Sequence, residues 1–274
     1  MVRSLCCRPG ALPAILALQL AAAVTCFAQP DPQAPAQAQP APASPWSAAF
    51  SHDRATATNF GFRNIWRTDR VQLGWRRPED GGWFVSAERQ QRGSLTDAAV
   101  AARGYRRLGD WTIGGGAGAA PGADFLARGS LDVEVSRRVV GTVVASAAYR
   151  FLHFRQVDVH QAQPALTWYH PRGDVEARLY LSHNTSTGRT SPTIRIRTGY
   201  AVNERLDLSG GFAYGDRIFD IASLPTGTSH AHASFAQVRV GLTTRDFIAL
   251  GGVRAREDPA FEYRSLSIGY ERTF

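Results

Sequence analysis

The sequence predicts an all-β fold: a transmembrane antiparallel up-and-down β-barrel of about fourteen strands with both termini periplasmic. Three observations carry that prediction. Apolar residues after position 45 recur at period two, with no sustained helical period. Every second connection between the alternating stretches is short and rich in turn formers. Five of the six tryptophans sit beside that same class of strand end.

Alternation is clearest at Leu131, Val133 and Val135 against Asp132, Glu134 and Ser136, and at Val175, Ala177, Leu179 and Leu181 against Glu176, Arg178, Tyr180 and Ser182. Charges at period two inside a strand need water on one face and an apolar phase on the other, which a membrane barrel with a polar interior supplies. The pattern gives strands at about 46–55, 66–77, 82–92, 95–107, 110–120, 124–137, 140–153, 157–170, 174–185, 190–202, 205–216, 229–243, 247–256 and 262–274. Each is about long enough for a tilted crossing. Twelve strands is the alternative if the first ones are irregular. The tight connections are Pro78–Gly82, Leu108–Asp110, Arg138–Val139, Pro171–Gly173, Asn203–Glu204 and Thr244–Asp246; the alternate set includes the two longest, 56–65 and 217–228. Short periplasmic turns alternating with longer outer loops fit a bacterial barrel.

The tryptophans orient it. Trp46, Trp75, Trp83, Trp111 and Trp168 flank the short turns, with Tyr200, Phe247 and Phe274 in equivalent positions. Their rings favour the membrane interface, one edge apolar and the other hydrogen-bonding, so they form the expected periplasmic girdle. The final stretch, Leu266 to Phe274, alternates Leu266, Ile268 and Tyr270 with Ser267, Gly269 and Glu271 and ends on the ring of Phe274. It resembles the C-terminal signature read by barrel-insertion machinery, apart from Arg272 at a position often aromatic.

Ahead of the barrel, residues 1–28 read as a signal peptide: Arg3 and Arg8, an apolar stretch from Ala11 to Val24, then Cys26-Phe-Ala28 as a cleavage site. The apolar run is shorter than the ~20 residues a spanning helix needs. Residues 29–45 alternate Pro, Ala and Gln and form an extended linker. Residues 46–274 make one barrel domain. All three cysteines, Cys6, Cys7 and Cys26, fall in the signal segment, which removes disulfides and thiolate chemistry from the barrel. The net charge is +8, and all 31 basic residues are arginine. They are spread among acids rather than clustered in one run, which argues against nucleic acid. Outer-membrane lipid and lipopolysaccharide phosphates are the expected partners of such a surface.

Arg70-Val-Gln-Leu-Gly-Trp75, Trp111-Thr-Ile-Gly-Gly-Gly-Ala117 with Pro121 and Phe125, and Gly141-Thr-Val-Val144 leading into Tyr149-Arg150 resemble the YaiO family of outer-membrane β-barrels. The likeness runs over essentially the whole barrel domain. It implies an outer-membrane barrel and brings no catalytic residues with it.

Two chemical readings remain. Inward-phased Glu88, Asp132, Glu134, Arg150, Glu176, Arg178, Arg195 and Arg197 line the expected lumen, with Gln72 and Glu271. They serve either passage of polysaccharide or of small polar or anionic solutes, or a salt-bridged wall that rigidifies the barrel. The alternative is a lipid A deacylase-like hydrolase with His232 as base and Ser234 as nucleophile, on one strand face within Ser229-His-Ala-His-Ala-Ser234. Asp246, at the far end of that strand, is too distant to orient His232. A second pair, Ser182-His183, is adjacent in sequence and therefore faces opposite ways. His230 and His232 share a face but lack a third ligand, and Gly114–Gly118 opens no helix and has no following Lys-Ser/Thr, so neither a metal nor a cofactor is expected. Small residues there instead leave room for bulky side chains on neighbouring strands.

Overall fold

The computed structural model describes residues 45–59, 62–77, 79–216, 230–257 and 261–274. Their fourteen strands run in chain order as β1 (Trp46–Asn59), β2 (Phe62–Arg77), β3 (Gly81–Arg92), β4 (Leu95–Leu108), β5 (Trp111–Ala119), β6 (Gly129–Val140) and β7 (Val143–His153). There follow β8 (Asp158–His170), β9 (Gly173–Asn184), β10 (Arg189–Asn203), β11 (Leu206–Asp216), β12 (His230–Gly241), β13 (Asp246–Glu257) and β14 (Phe261–Thr273). Each pairs antiparallel with its sequence neighbours, and β1 pairs with β14 from Ser47↔Thr273 to Asn59↔Phe261, so the sheet closes. Closure leaves no sheet edge and satisfies every ladder within the wall, which a membrane demands. The backbone N–H of Phe274 donates to the carbonyl of Trp46 at 3.1 Å, so both ends of the barrel domain lie at one rim. This is the near end; the opposite rim is the far end.

The short connections fall at the near end as the turn residues predict, with one displaced. The β6–β7 turn is Gly141–Thr142, not Arg138–Val139. Gly141 takes φ +51°, where a Cβ is disfavoured, and the ladder absorbs the extra residue as an irregularity between Arg138 and Val140.

Two far-end expectations need correction. The 56–65 stretch is not a long loop: β1 continues to Asn59 and β2 starts at Phe62, paired throughout. The strands run on because Ala55, Ala57 and Trp66 are buried inside the barrel against Ala233, Ala255, Phe261 and Tyr263. Conversely, 124–128 is not strand. After Pro121 and Gly122 (φ +72°) the chain turns inward, burying Phe125 and Leu126 with Ala120, Ala123, Phe154 and Val159. The expected long connection at 217–228 lies outside the described residues.

Candidate functional site: a charged wall inside the barrel

Register sorts side chains onto two faces. Val71, Leu73, Val85, Val133, Leu166, Leu250, Leu266 and Ile268 turn outward, and Leu266 is 75 % exposed. Such an outward apolar band is stable only against lipid. At its near-end margin lie the expected aromatics. Trp46 meets Trp83 edge-on at 5.4 Å, and Trp168 sits 5.7 Å from His170. Arginines cover Trp75 (Arg77, 5.4 Å), Trp111 (Arg137, 5.0 Å) and Phe274 (Arg272, 5.9 Å). Arg272 thus remains at the interface, its charge 3.5 Å from Asp246. Phe247 does not join this set: its odd register turns it inward, beneath the Arg239 guanidinium at 3.6 Å. Trp66, the sixth tryptophan, is also inward, at the far end beside Tyr263 (5.7 Å).

The inward face holds a connected ladder of charge. Arg103 on β4 reaches Glu134 on β6 at 2.6 Å and Asp132 at 3.4 Å. Glu134 is also met by Arg178 on β9 (3.3 Å), which binds Glu176 at 3.0 Å; Glu176 accepts from Arg195 on β10 at 2.6 Å. Arg197 pairs with Asp174 at 2.7 Å. Arg150, from β7, shares this face opposite Asp132. The remaining predicted member, Glu88, stands apart on β3 and accepts from Arg70. Gln163 and Gln161 continue the polar surface, Gln161 donating to inward-facing Ser182 at 2.7 Å.

Arg103 can cross to β6 because β5 between them is glycine-lined. A Cβ on Gly116 would stand 3.0 Å from the Arg103 Cβ, 3.0 Å from Asp132 Oδ1 and 2.8 Å from the Ala102 carbonyl. The Gly114–Gly118 run is therefore space for this ion-pair ladder.

The opposite wall is sparser: at its near end Arg239 of β12 binds Asp207 (3.1 Å) and Glu271 (3.2 Å), and at mid-height many side chains are short. Ser209, Gly211 and Ala213 of β11, Ala249 and Gly251 of β13, Ser267 and Gly269 of β14, and Ala49 and Ser51 of β1 face inward with short side chains. Near the far end the lumen turns apolar and aromatic. Arg92 lies between the rings of Trp66 (4.4 Å) and Phe125 (4.3 Å), joining the two buried clusters. Asp97 fixes the inward turn: its carboxylate accepts from the backbone N–H groups of Asp124 (3.1 Å), Phe125 (2.9 Å) and Leu126 (2.8 Å). Arg103 and Arg92 follow from strand phase once the glycines of β5 and the inward Trp66 are recognised. Asp97 has no sequence signal, since its partners are backbone amides twenty-seven and more residues away.

His232 and Ser234 face outward on β12, opposite Arg256 and Arg254 of β13, and both are exposed. Among the described residues no hydrogen bond joins them. Asp246 is at the near end, accepting from Tyr270 at 2.5 Å and Thr243 at 2.6 Å. Ser182 and His183 point to opposite faces, His183 toward Thr190 at 3.0 Å.

No curated protein sequence matches the chain. Solved outer-membrane barrels share the fold. The CymD monoaromatic hydrocarbon channel superposes with a TM-score of 0.60 at 9 % identity, over 84 % of this chain and 89 % of that one. A bacterial polysaccharide outer membrane secretin gives 0.54 at 12 %, over 83 % and 98 %. The translocator domain of the autotransporter NalP from Neisseria meningitidis gives 0.52 at 11 %, over 96 % and 100 %. The family model described as the YaiO membrane beta barrel domain matches residues 53–215, from β1 to the end of β11, and the chain belongs to that family of bacterial outer-membrane barrels.

Proposed function

We propose that this barrel is a passage for polar, hydroxyl-rich solutes carrying negative charge, of the sugar-acid and oligosaccharide class, and that it works without catalysis. The observation that carries the reading is the charged ladder on β4–β10 standing opposite short mid-height side chains on β11, β13, β14 and β1. Fourteen strands ~4.8 Å apart and tilted about 40° enclose a backbone cylinder roughly 27 Å across. Side chains fill barrels of about eight strands and leave a channel in those of about sixteen. Here the connected ladder is confined to β4–β10, while mid-height positions of β11, β13, β14 and β1 are short. Alternating guanidinium, carboxylate and amide groups offer donors and acceptors together, as hydroxylated solutes require, while Arg103, Arg150, Arg178, Arg195 and Arg197 favour anions. Among barrels of this fold one is a hydrocarbon channel and another a polysaccharide secretin, so the lining and not the fold argues for the solute.

The test is conductance of the purified full chain in planar bilayers, with the anion-to-cation permeability ratio from a salt gradient. We expect discrete steps with anion preference, and Ser267→Trp, which fills the short mid-height stretch of that wall, should cut the step size by half or more. Folded protein that gives no steps, or steps indifferent to Ser267→Trp, removes the passage reading. The hydrolase reading has less support, because among the described residues no carboxylate hydrogen-bonds the His232 imidazole and no hydrogen bond joins it to Ser234. Loss of lipid deacylation in Ser234→Ala, with the barrel intact, is the result that would restore it.

A further inference from the structure

The outer surface of the barrel carries an arginine belt that the lumen does not explain. Arg254 on β13, Arg264 on β14, Arg54 on β1, Arg67 on β2 and Arg89 on β3 all face outward, on five consecutive strands across the closing seam. Arg254 is the cross-strand partner of Arg264, and Arg54 of Arg67. Arg264 pairs with Thr56, two residues above Arg54 in register, and Arg89 is in register with His52, two residues below it. That descent matches the stagger of tilted strands, so the five guanidinium-bearing positions lie at one height. Trp46 and Arg54 are eight residues apart on β1. At ~3.3 Å per residue and a tilt of about 40°, the aromatic girdle and the belt are separated by roughly 20 Å, close to the ~25 Å height of a lipid-facing apolar band. The belt therefore borders the far-end headgroup layer.

Its electrostatics are unbalanced. Arg254, Arg256 and Arg264 converge on a single carboxylate oxygen, Glu262 Oε1, at 3.2, 3.3 and 2.8 Å, which leaves two positive charges in excess. All three guanidinium side chains are about half exposed. Arg54, Arg67 and Arg89 form no ion pair among the described residues, and the other described acid beside the belt, Asp69, is taken by His52 at 2.7 Å. Elsewhere at this height the outward residues are uncharged side chains and histidines, including Tyr149 with His160 and Tyr214 with His230. The surplus is confined to one sector.

We propose that this sector binds the phosphates of a doubly phosphorylated membrane lipid. One phosphate would sit on the Arg254–Arg256–Arg264 group, which Glu262 holds in place, and the other on Arg54, Arg67 and Arg89. Bidentate guanidinium contacts suit phosphate oxygens, and the apolar band beneath (Leu250, Leu266, Ile268 and Val71) receives the acyl chains. The site depends on the outer surface alone and stands whether or not the lumen conducts.

The experiment loads the full-length protein in detergent with diphosphoryl lipid A, its monophosphoryl form or phosphatidylglycerol, and reads retained lipid by native mass spectrometry. The expected order is diphosphoryl, then monophosphoryl, then phosphatidylglycerol. R54Q/R67Q/R89Q should weaken diphosphoryl lipid A at least tenfold, with most of it restored in R54K/R67K/R89K, while near-end R137Q leaves it unchanged. Folding of each variant is checked by its heat-modifiable gel shift, and the lysine set keeps the test alive should the glutamine set not fold. Equal retention by all variants, or equal loss in R137Q, overturns the proposal. Displacement of the lipid by millimolar inorganic phosphate overturns it too, since that marks a free-anion site.

Discussion

Asp97 shows how one side chain shapes the far end of the lumen. A carboxylate that accepts three backbone N–H groups replaces the ladder partners that Asp124, Phe125 and Leu126 give up by leaving the sheet. With that satisfied, Phe125 can be buried against Arg92 rather than turned to solvent. Removing the acceptor leaves the buried Phe125 and Leu126 donors unpaired, at about 1–3 kcal/mol each. Asp97→Ala should therefore speed hydrogen exchange at residues 124–126 by tenfold or more. The amides of β8 and β9, held by ladder bonds alone, should be unchanged. Arg92 follows the same logic, its guanidinium held between two rings while it donates to Gln90 Oε1 at 3.1 Å.

Among the elements, β5 is the most telling. It is the shortest of the described strands and, after Thr112, its inward positions are glycine, which would weaken a strand judged alone. Its role is relational: it lets Arg103 on β4 reach Asp132 and Glu134 on β6. Gly116→Leu must displace both the Ala102 carbonyl and the Asp132 carboxylate. Overpacking of this kind costs about 1–3 kcal/mol, and should lower the temperature at which the barrel loses its heat-modifiable shift. Gly118→Ala, where the nearest atom is the mobile Ser130 hydroxyl, should cost less. Alternation made β5 legible as a strand and its composition suggested room for a neighbour. Which neighbour used the room was not legible, because the pairs skip a strand.

At the scale of the whole molecule, the interior is asymmetric: a connected ion-pair ladder on β4–β10, and short mid-height side chains on β11, β13, β14 and β1 above the near-end group of Arg239 with Asp207 and Glu271. Because Arg178 links Glu134 of β6 to Glu176 of β9, it ties parts of the wall that share no ladder. Arg178→Gln should shift the permeability ratio toward cations by two- to threefold, read as a reversal-potential change in a salt gradient. Glu176 keeps Arg195 at 2.6 Å, so the fold should survive. A ratio that does not move would mean that the ladder braces the wall without facing the solute path.

Period-two alternation, turn composition and the placement of Trp46, Trp75, Trp83, Trp111 and Trp168 determined by themselves that this chain is a fourteen-stranded barrel with one aromatic rim. Each is a local property, written within ten or so residues, and a membrane reads it strand by strand. The tertiary structure decided what depends on register and on distance across the barrel. It turned Phe247 inward to Arg239, folded Phe125 onto Arg92, and set Arg54, Arg67, Arg89, Arg254 and Arg264 at one height. Those arginines are up to 210 residues apart in sequence. Only closure of β1 on β14, with the stagger that tilted strands impose, makes them neighbours.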